Sequence, residues 1–220
     1  MLERVPADTS VVVMSDHGFG PLHKIVNLNV FLMQKGFLKL KRDPVNRLKA
    51  AAFHLGITPA GVYHMIETIG LQNLATRVSK QTRNDVVGRF LSFNSVDWER
   101  TVAYSMGHVG QIYLNVAGRE PHGIVTADTY EQTRQEVIDA LRELRDEQGR
   151  PLVSDLILRE ETYQGRYAQD GPDIHLVLDE YNMIAFPLFA TNNQVIADQI
   201  RGDSGSVSYT HLTLPTKRIV

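Results

Sequence analysis

The chain has 220 residues, 43% hydrophobic and 22% charged, which is enough apolar material for one sizeable core and outside the range of a disordered chain. Its 23 basic and 25 acidic side chains leave a net charge of −2, so composition gives no reason to expect nucleic acid or an anionic membrane surface as a partner. There is no cysteine, which excludes disulfide scaffolds and thiolate metal sites and leaves His, Asp, Glu or hydroxyl groups as the only available metal ligands.

The N-terminal MLERVPADTS lacks the basic, apolar and small-residue order of a signal peptide, and no apolar run has the length of a membrane span. The compartment stays open, with the cytoplasm favoured. Residues 2–8 read as the end of a helix and a loop broken by Pro6 and Asp8. The stretch Thr9–Pro21, TSVVVMSDHGFGP, then dominates the sequence. Val11, Val12, Val13 and Met14 leave no polar face, which predicts a strand buried on both sides, with Asp16 and His17 at its C-terminal end. In open α/β sheets ligands bind in the crevice outside those ends. A carboxylate oxygen beside an imidazole nitrogen suits zinc or manganese, although two donors do not complete a coordination shell. An isolated Asp-His-Gly reads equally as a turn in which Asp caps backbone amides and His lies at the surface. A buried strand one short loop from the start needs sheet partners on both sides, so the chain is expected to be the C-terminal part of a longer protein.

Downstream, His23, Asn27 and Asn29 are polar residues that could line the same crevice. Residues 28–34 predict a short helix stopped by Gly36 and followed by the extended FLKL. From about 43 to 92 the pattern is helical, with Leu48, Ala52 and Leu55 and then Val62, Met65, Ile66 and Ile69, and predicts a helical insertion, either a cap over the site or plain packing. His54 and His64 are expected to be packed or solvated there. Residues 95–125 predict two or three short strands with tight turns and Trp98 as a packing anchor. His108, between Gly107 and Gly110, is a loop residue that could approach the crevice. Arg119 and His122 in GREPHG are also loop-borne, and Arg119 could fork onto a phosphate. Residues 128–146 form the clearest helix: Asp128 and Glu131 suggest a capping box, Tyr130, Val137, Leu141 and Leu144 share a face, and Arg142 and Arg145 suit its C-terminal end. LVSDLILR and DIHLVLDE read as strands, with His175 structural within the second.

VVVMSDHGFGPL resembles the strand-to-loop segment of the alkaline phosphatase superfamily, and NLNVFLMQKGFLKL, VDWERTVAYS, GQIYLNVAGREPHGIV, GPDIHLVLDE and GDSGS follow in order. As an ordered set over residues 1 to about 206 they resemble the predicted phosphohydrolase and phosphomutase branch related to type I phosphodiesterase/nucleotide pyrophosphatase. The resemblance implies an α/β fold, an incomplete alkaline-phosphatase-like three-layer sandwich with a mostly parallel sheet and a helical insertion. It implies two divalent metal ions, zinc or manganese, one of them bound by Asp16 and His17, and a Ser or Thr nucleophile in a part that precedes this chain. A small phosphate ester is the implied substrate; His23, Asn27, His108 and Arg119 are the substrate-binding candidates, and Asp173 of GPD is a weaker one. The family pattern places a histidine ligand after GDSGS, where this chain has Val207, and residues 207–220, VSYTHLTLPTKRIV, resemble a translated sequencing adapter, so His211 is not taken as its substitute. The expected activity is phosphoric-ester hydrolysis by the parent protein, the alternatives being a phosphomutase of the cofactor-independent phosphoglycerate mutase type or a non-catalytic binding domain on the same fold.

Overall fold

A computed structural model describes residues 24–58, 91–187 and 193–198, with Pro6, Thr9 and Gly61 as single positions. Asp16, His17 and His23, most of the helical insertion beyond residue 58, and the chain from GDSGS onward lie outside the described residues. The fold is mixed α/β, with two sheets among the described residues. In the first, β1 (Lys24–Asn27) lies between β6 (Met183–Phe186) and β7 (Ile196–Asp198), parallel to β6 and antiparallel to β7. The second has the order β2 (Ala103–Ser105), β3 (Gln111–Leu114), β5 (Ile174–Leu178), β4 (Val153–Leu158), and every pairing in it is antiparallel.

The expectation of a mostly parallel sheet is therefore corrected: among the described residues β1 and β6 are the one parallel pair. Connection length is part of the reason. The turn 106–110 between β2 and β3 suits a hairpin, whereas a parallel pair needs a crossover of a dozen residues or more.

Among the described residues four α-helices accompany the sheets. Helix α1 (Leu28–Lys35) follows β1 directly and ends where Gly36 takes the left-handed conformation (φ 86°), its N–H donating to the Leu32 and Met33 carbonyls. Leu28, Val30, Phe31 and Leu32 are all buried, because α1 is packed against both β2 and β6. Helix α2 (Pro44–His54) starts at Asp43, whose carboxylate accepts the Asn46 N–H, and Pro44 sits where a missing N–H costs nothing. It buries Phe53, while Leu48 and Leu55 face solvent, so the apolar stripe expected through those leucines is on the opposite side.

Helix α3 (Ala127–Leu141) buries Val137, Ile138 and Leu141 as its pattern requires. Its cap is Thr126 with Thr129 rather than Asp128 with Glu131: the Thr126 N–H donates to Thr129 Oγ1 at 3.2 Å. Arg145 donates to the carbonyl of Arg142, the C-cap residue, and to that of Leu144, which also accepts the Leu152 N–H. A short α4 (Arg159–Thr162) follows β4. One core joins the sheets and helices through Val26, Leu32, Leu38, Ile112, Leu114, Leu141 and Ile174. At its rim Trp98 stacks on Phe93 (6.1 Å between centroids, 20°) and meets Tyr104 edge-on (5.1 Å, 87°), the anchoring role expected of the single tryptophan.

Candidate functional site

The C-terminal ends of the parallel pair β1 and β6 are the edge at which an α/β sheet receives ligands. Asn27 closes β1 there. It is buried, and its side-chain amide donates to the Gln194 carbonyl (2.8 Å), fastening the approach to β7. Two residues on, buried Asn29 ties this edge to the second sheet. Its amide nitrogen donates to the carbonyls of Ser105 (2.9 Å) and Pro187 (2.7 Å), and its oxygen accepts the Ser105 N–H (2.7 Å). The Asn29 side chain thus substitutes for a neighbouring strand along the open side of β2, satisfying backbone groups that would otherwise be buried without partners.

From Ser105 the chain enters the turn 106–110. Gly110 has φ 71°, and a Cβ there would stand 2.4 Å from the Leu176 carbonyl oxygen, so only glycine fits. The turn holds His108 exposed, its ring 5.1 Å from that of Phe186 at the end of β6. His108 is therefore a loop residue beside the C-terminal end of β6. Asn27 lies at the same edge but is turned to Gln194.

Arg119 has a different role from the one expected. All five of its N–H donors are engaged: Nε with Glu120 (3.2 Å), one terminal nitrogen with Asp173 Oδ1 (3.0 Å) and the Gln169 carbonyl (3.2 Å), the other with Asp173 Oδ2 (2.7 Å) and the Leu114 carbonyl (2.6 Å). The fork that could have received a phosphate holds a carboxylate. Asp173 is fully buried and also accepts the Leu114 N–H (2.7 Å), the Tyr130 hydroxyl (2.6 Å) and Arg159 (2.8 Å). One carboxylate thereby joins β3, the loop after it, α3 and α4. Burial, and then the hydrogen bond to Asp173, pushes the Tyr130 hydroxyl well above the usual phenol range, so it stays a donor. The weak expectation that Asp173 serves the site is replaced by this structural role.

His175 is structural as expected. It lies within β5 with its ring against Tyr163 (5.5 Å), and its Nε2 is buried without a partner. Burial lowers its pKa below the usual imidazole value. Ser105 was not singled out by sequence. Its residue type is common, and only the long-range clasp by Asn29 gives it significance.

Among the described residues no group of three or more His, Asp or Glu side chains is arranged to hold a metal ion. The oxygen and nitrogen donors of Asp16 and His17 have the chemistry for one and lie outside the described residues. No helix of the described residues is long and apolar enough to cross a membrane.

Neither the curated proteins nor the solved structures include a match to this chain. The family model for type I phosphodiesterase/nucleotide pyrophosphatase does match, over residues 1–188. That span contains the SDHG segment, both strands of the parallel pair and the whole antiparallel sheet. On this evidence the chain belongs to the type I phosphodiesterase/nucleotide pyrophosphatase family, within the alkaline phosphatase superfamily.

Proposed function

We propose that the chain is part of a metal-dependent phosphoric-ester hydrolase in which Asp16 and His17 hold one of two divalent ions, zinc or manganese, and the Ser or Thr nucleophile comes from outside this chain. The observation that carries the reading is the family match over residues 1–188, which includes the adjacent acid and imidazole after the apolar run Val11–Met14. When bound, a pair of divalent ions supplies charge that steadies the attacking and leaving oxygens of an in-line displacement at phosphorus. The Asp16 carboxylate contributes negative charge to ion binding. His17 contributes a neutral nitrogen that must be deprotonated, so the affinity falls in acid. His108 is the described residue best placed to meet a small phosphate-ester substrate, and His23 is a further candidate. Arg119 is not included, since Asp173 occupies it.

The test is a calorimetric titration of zinc and of manganese into the chain. Asp16→Ala and His17→Ala are each expected to weaken binding by about tenfold or more, ligand loss costing at least what loss of an outer partner costs. The chain by itself is expected not to hydrolyse an aryl phosphate. Turnover by the chain that Asp16→Ala abolishes would overturn the placement of the nucleophile, and unchanged metal affinity in both variants would overturn the ligand assignment.

A further inference from the structure

We propose that α2 and the residues that flank it form a peripheral docking surface for an anionic lipid bilayer. Leu48, Ala51, Ala52 and Leu55 recur at i, i+3, i+4 and i+7, which places them on one face of the helix, with Val45 one turn before Leu48. Phe53 is the residue through which α2 enters the core, and at 3.6 residues per turn it lies on roughly the opposite side. The apolar face is therefore turned outward. Leu48 is 74% exposed and Leu55 78%, and Val45 and Ile57 are exposed beside them. Single apolar side chains at a surface are ordinary, but a continuous stripe of them marks a surface that something apolar covers.

The charge around the stripe names the partner. Residues 39–57 carry five basic side chains, Lys39, Lys41, Arg42, Arg47 and Lys49, and one acidic side chain, Asp43. Asp43 is committed to the helix cap, where it accepts from the backbone and side-chain amides of Asn46. Lys41, Arg42 and Arg47 are all exposed. Because the whole chain has a net charge of −2, this excess is local and vanishes in the overall composition. An outward apolar stripe bordered by Lys and Arg is the pattern of a helix that lies in the plane of a bilayer interface. Its leucines enter the boundary between headgroups and acyl chains, and its basic side chains reach the headgroup phosphates. With eleven residues α2 can lie on a bilayer but not cross one. A second copy fits this face less well, since a two-fold contact would set Arg47 and its neighbours against their own equivalents, like charge against like. A nucleic acid would meet the basic residues and leave the leucines in water.

The chain has no cysteine, so Leu48→Cys places a single thiol in the stripe. The full chain carrying it is exposed to a water-soluble maleimide alone, with phosphatidylcholine vesicles, and with vesicles that also contain phosphatidylserine. Co-sedimentation of the unsubstituted chain with the same vesicles is measured in parallel. The thiol is expected to react quickly alone and with phosphatidylcholine, and to be protected by the phosphatidylserine vesicles. Lys41→Gln combined with Arg42→Gln should weaken co-sedimentation roughly fivefold for each charge removed, and Leu48→Ser combined with Leu55→Ser should abolish it. All four residues are exposed, so circular dichroism and the urea midpoint should not change. A thiol protected without lipid would overturn the proposal: the stripe would be covered by a second copy if dilution exposes it, and by another segment of this chain if dilution does not. A thiol that phosphatidylserine vesicles leave reactive, or equal co-sedimentation of the charge variant, would overturn it as well. The metal titrations of Asp16→Ala and His17→Ala are independent of every one of these results.

Discussion

Replacing Asp173 by Asn preserves shape and removes one negative charge, so it isolates what that carboxylate holds together. In the native protein its two oxygens accept five hydrogen bonds, from the Leu114 N–H, twice from Arg119, and from Tyr130 and Arg159. An amide in its place turns an –NH2 toward a cluster of donors and leaves Arg119, whose side chain is 13% exposed, with only Glu120 as a counter-ion. Breaking a buried pair from one side costs about 3–5 kcal/mol, and a displaced backbone N–H adds about 1–3 kcal/mol when it finds no other acceptor. Because one carboxylate carries both effects they overlap, and the expected loss is about 4 kcal/mol, a large share of the roughly 5–15 kcal/mol that holds a typical domain folded. Urea denaturation followed by circular dichroism and by the fluorescence of Trp98 measures it directly. The loss should persist in about 1 M salt, since a buried pair is poorly screened. A loss below about 1 kcal/mol, or one that high salt erases, would show that the cluster behaves as a surface ion pair and that Asp173 does not organise α3, α4 and β3.

Asn29→Ala strips partners from the Ser105 N–H, the Ser105 carbonyl and the Pro187 carbonyl together, and should cost about 2–4 kcal/mol in the same denaturation assay. His175, with its pKa lowered by burial, binds fewer protons folded than unfolded. Stability should therefore be flat above the unfolded value of about 6.5 and fall as pH drops below it, until the folded group also protonates; His175→Phe should flatten that slope between about pH 7.5 and 5.5. Gly110→Ala should lose about 2 kcal/mol or more, because it combines φ 71° with a backbone oxygen 2.4 Å from the new methyl. Gly118→Ala, at φ 85° with open space around it, should cost only about 1 kcal/mol, and the difference between the two midpoints checks the steric part.

Local signals were legible because their causes are local. Gly36 ends α1 through its own left-handed backbone, and the apolar face of α3 follows from spacing within that helix. The cap of α3 was misread by two residues because Thr126 and Asp128 are both short polar side chains that can end a loop, and only the backbone decides between them. Arg119 was recognised as a fork seeking an anion, but its anion, Asp173, lies 54 residues further on, and no sequence period connects the two. Strand direction was missed for a related reason. β3 reads alike whether β5 or a parallel neighbour lies beside it, since alternation along a strand reports burial and not the sense of the partner. Family membership was legible from the ordered run of segments, and the match over residues 1–188 agrees. The loop placement of His108 was legible from its flanking glycines, while the clasp on Ser105 became visible only once Asn29 had been placed against it.

The bond from Asn29 to Pro187 closes over 158 residues of sequence, and β1 pairs with β6 and β7 across comparable spans. On a ribosome adding about 5–20 residues per second, β1 and α1 would be exposed for roughly 10–30 s before their sheet partners are made. The antiparallel sheet closes within residues 103–178 and has no such wait. The order of assembly is thereby set by the connectivity: the second sheet forms first, and the edge at Asn27 and Asn29 is completed last. Until then Ile25, Val26 and the apolar faces of α1 are the part of the nascent chain that a chaperone would have to cover.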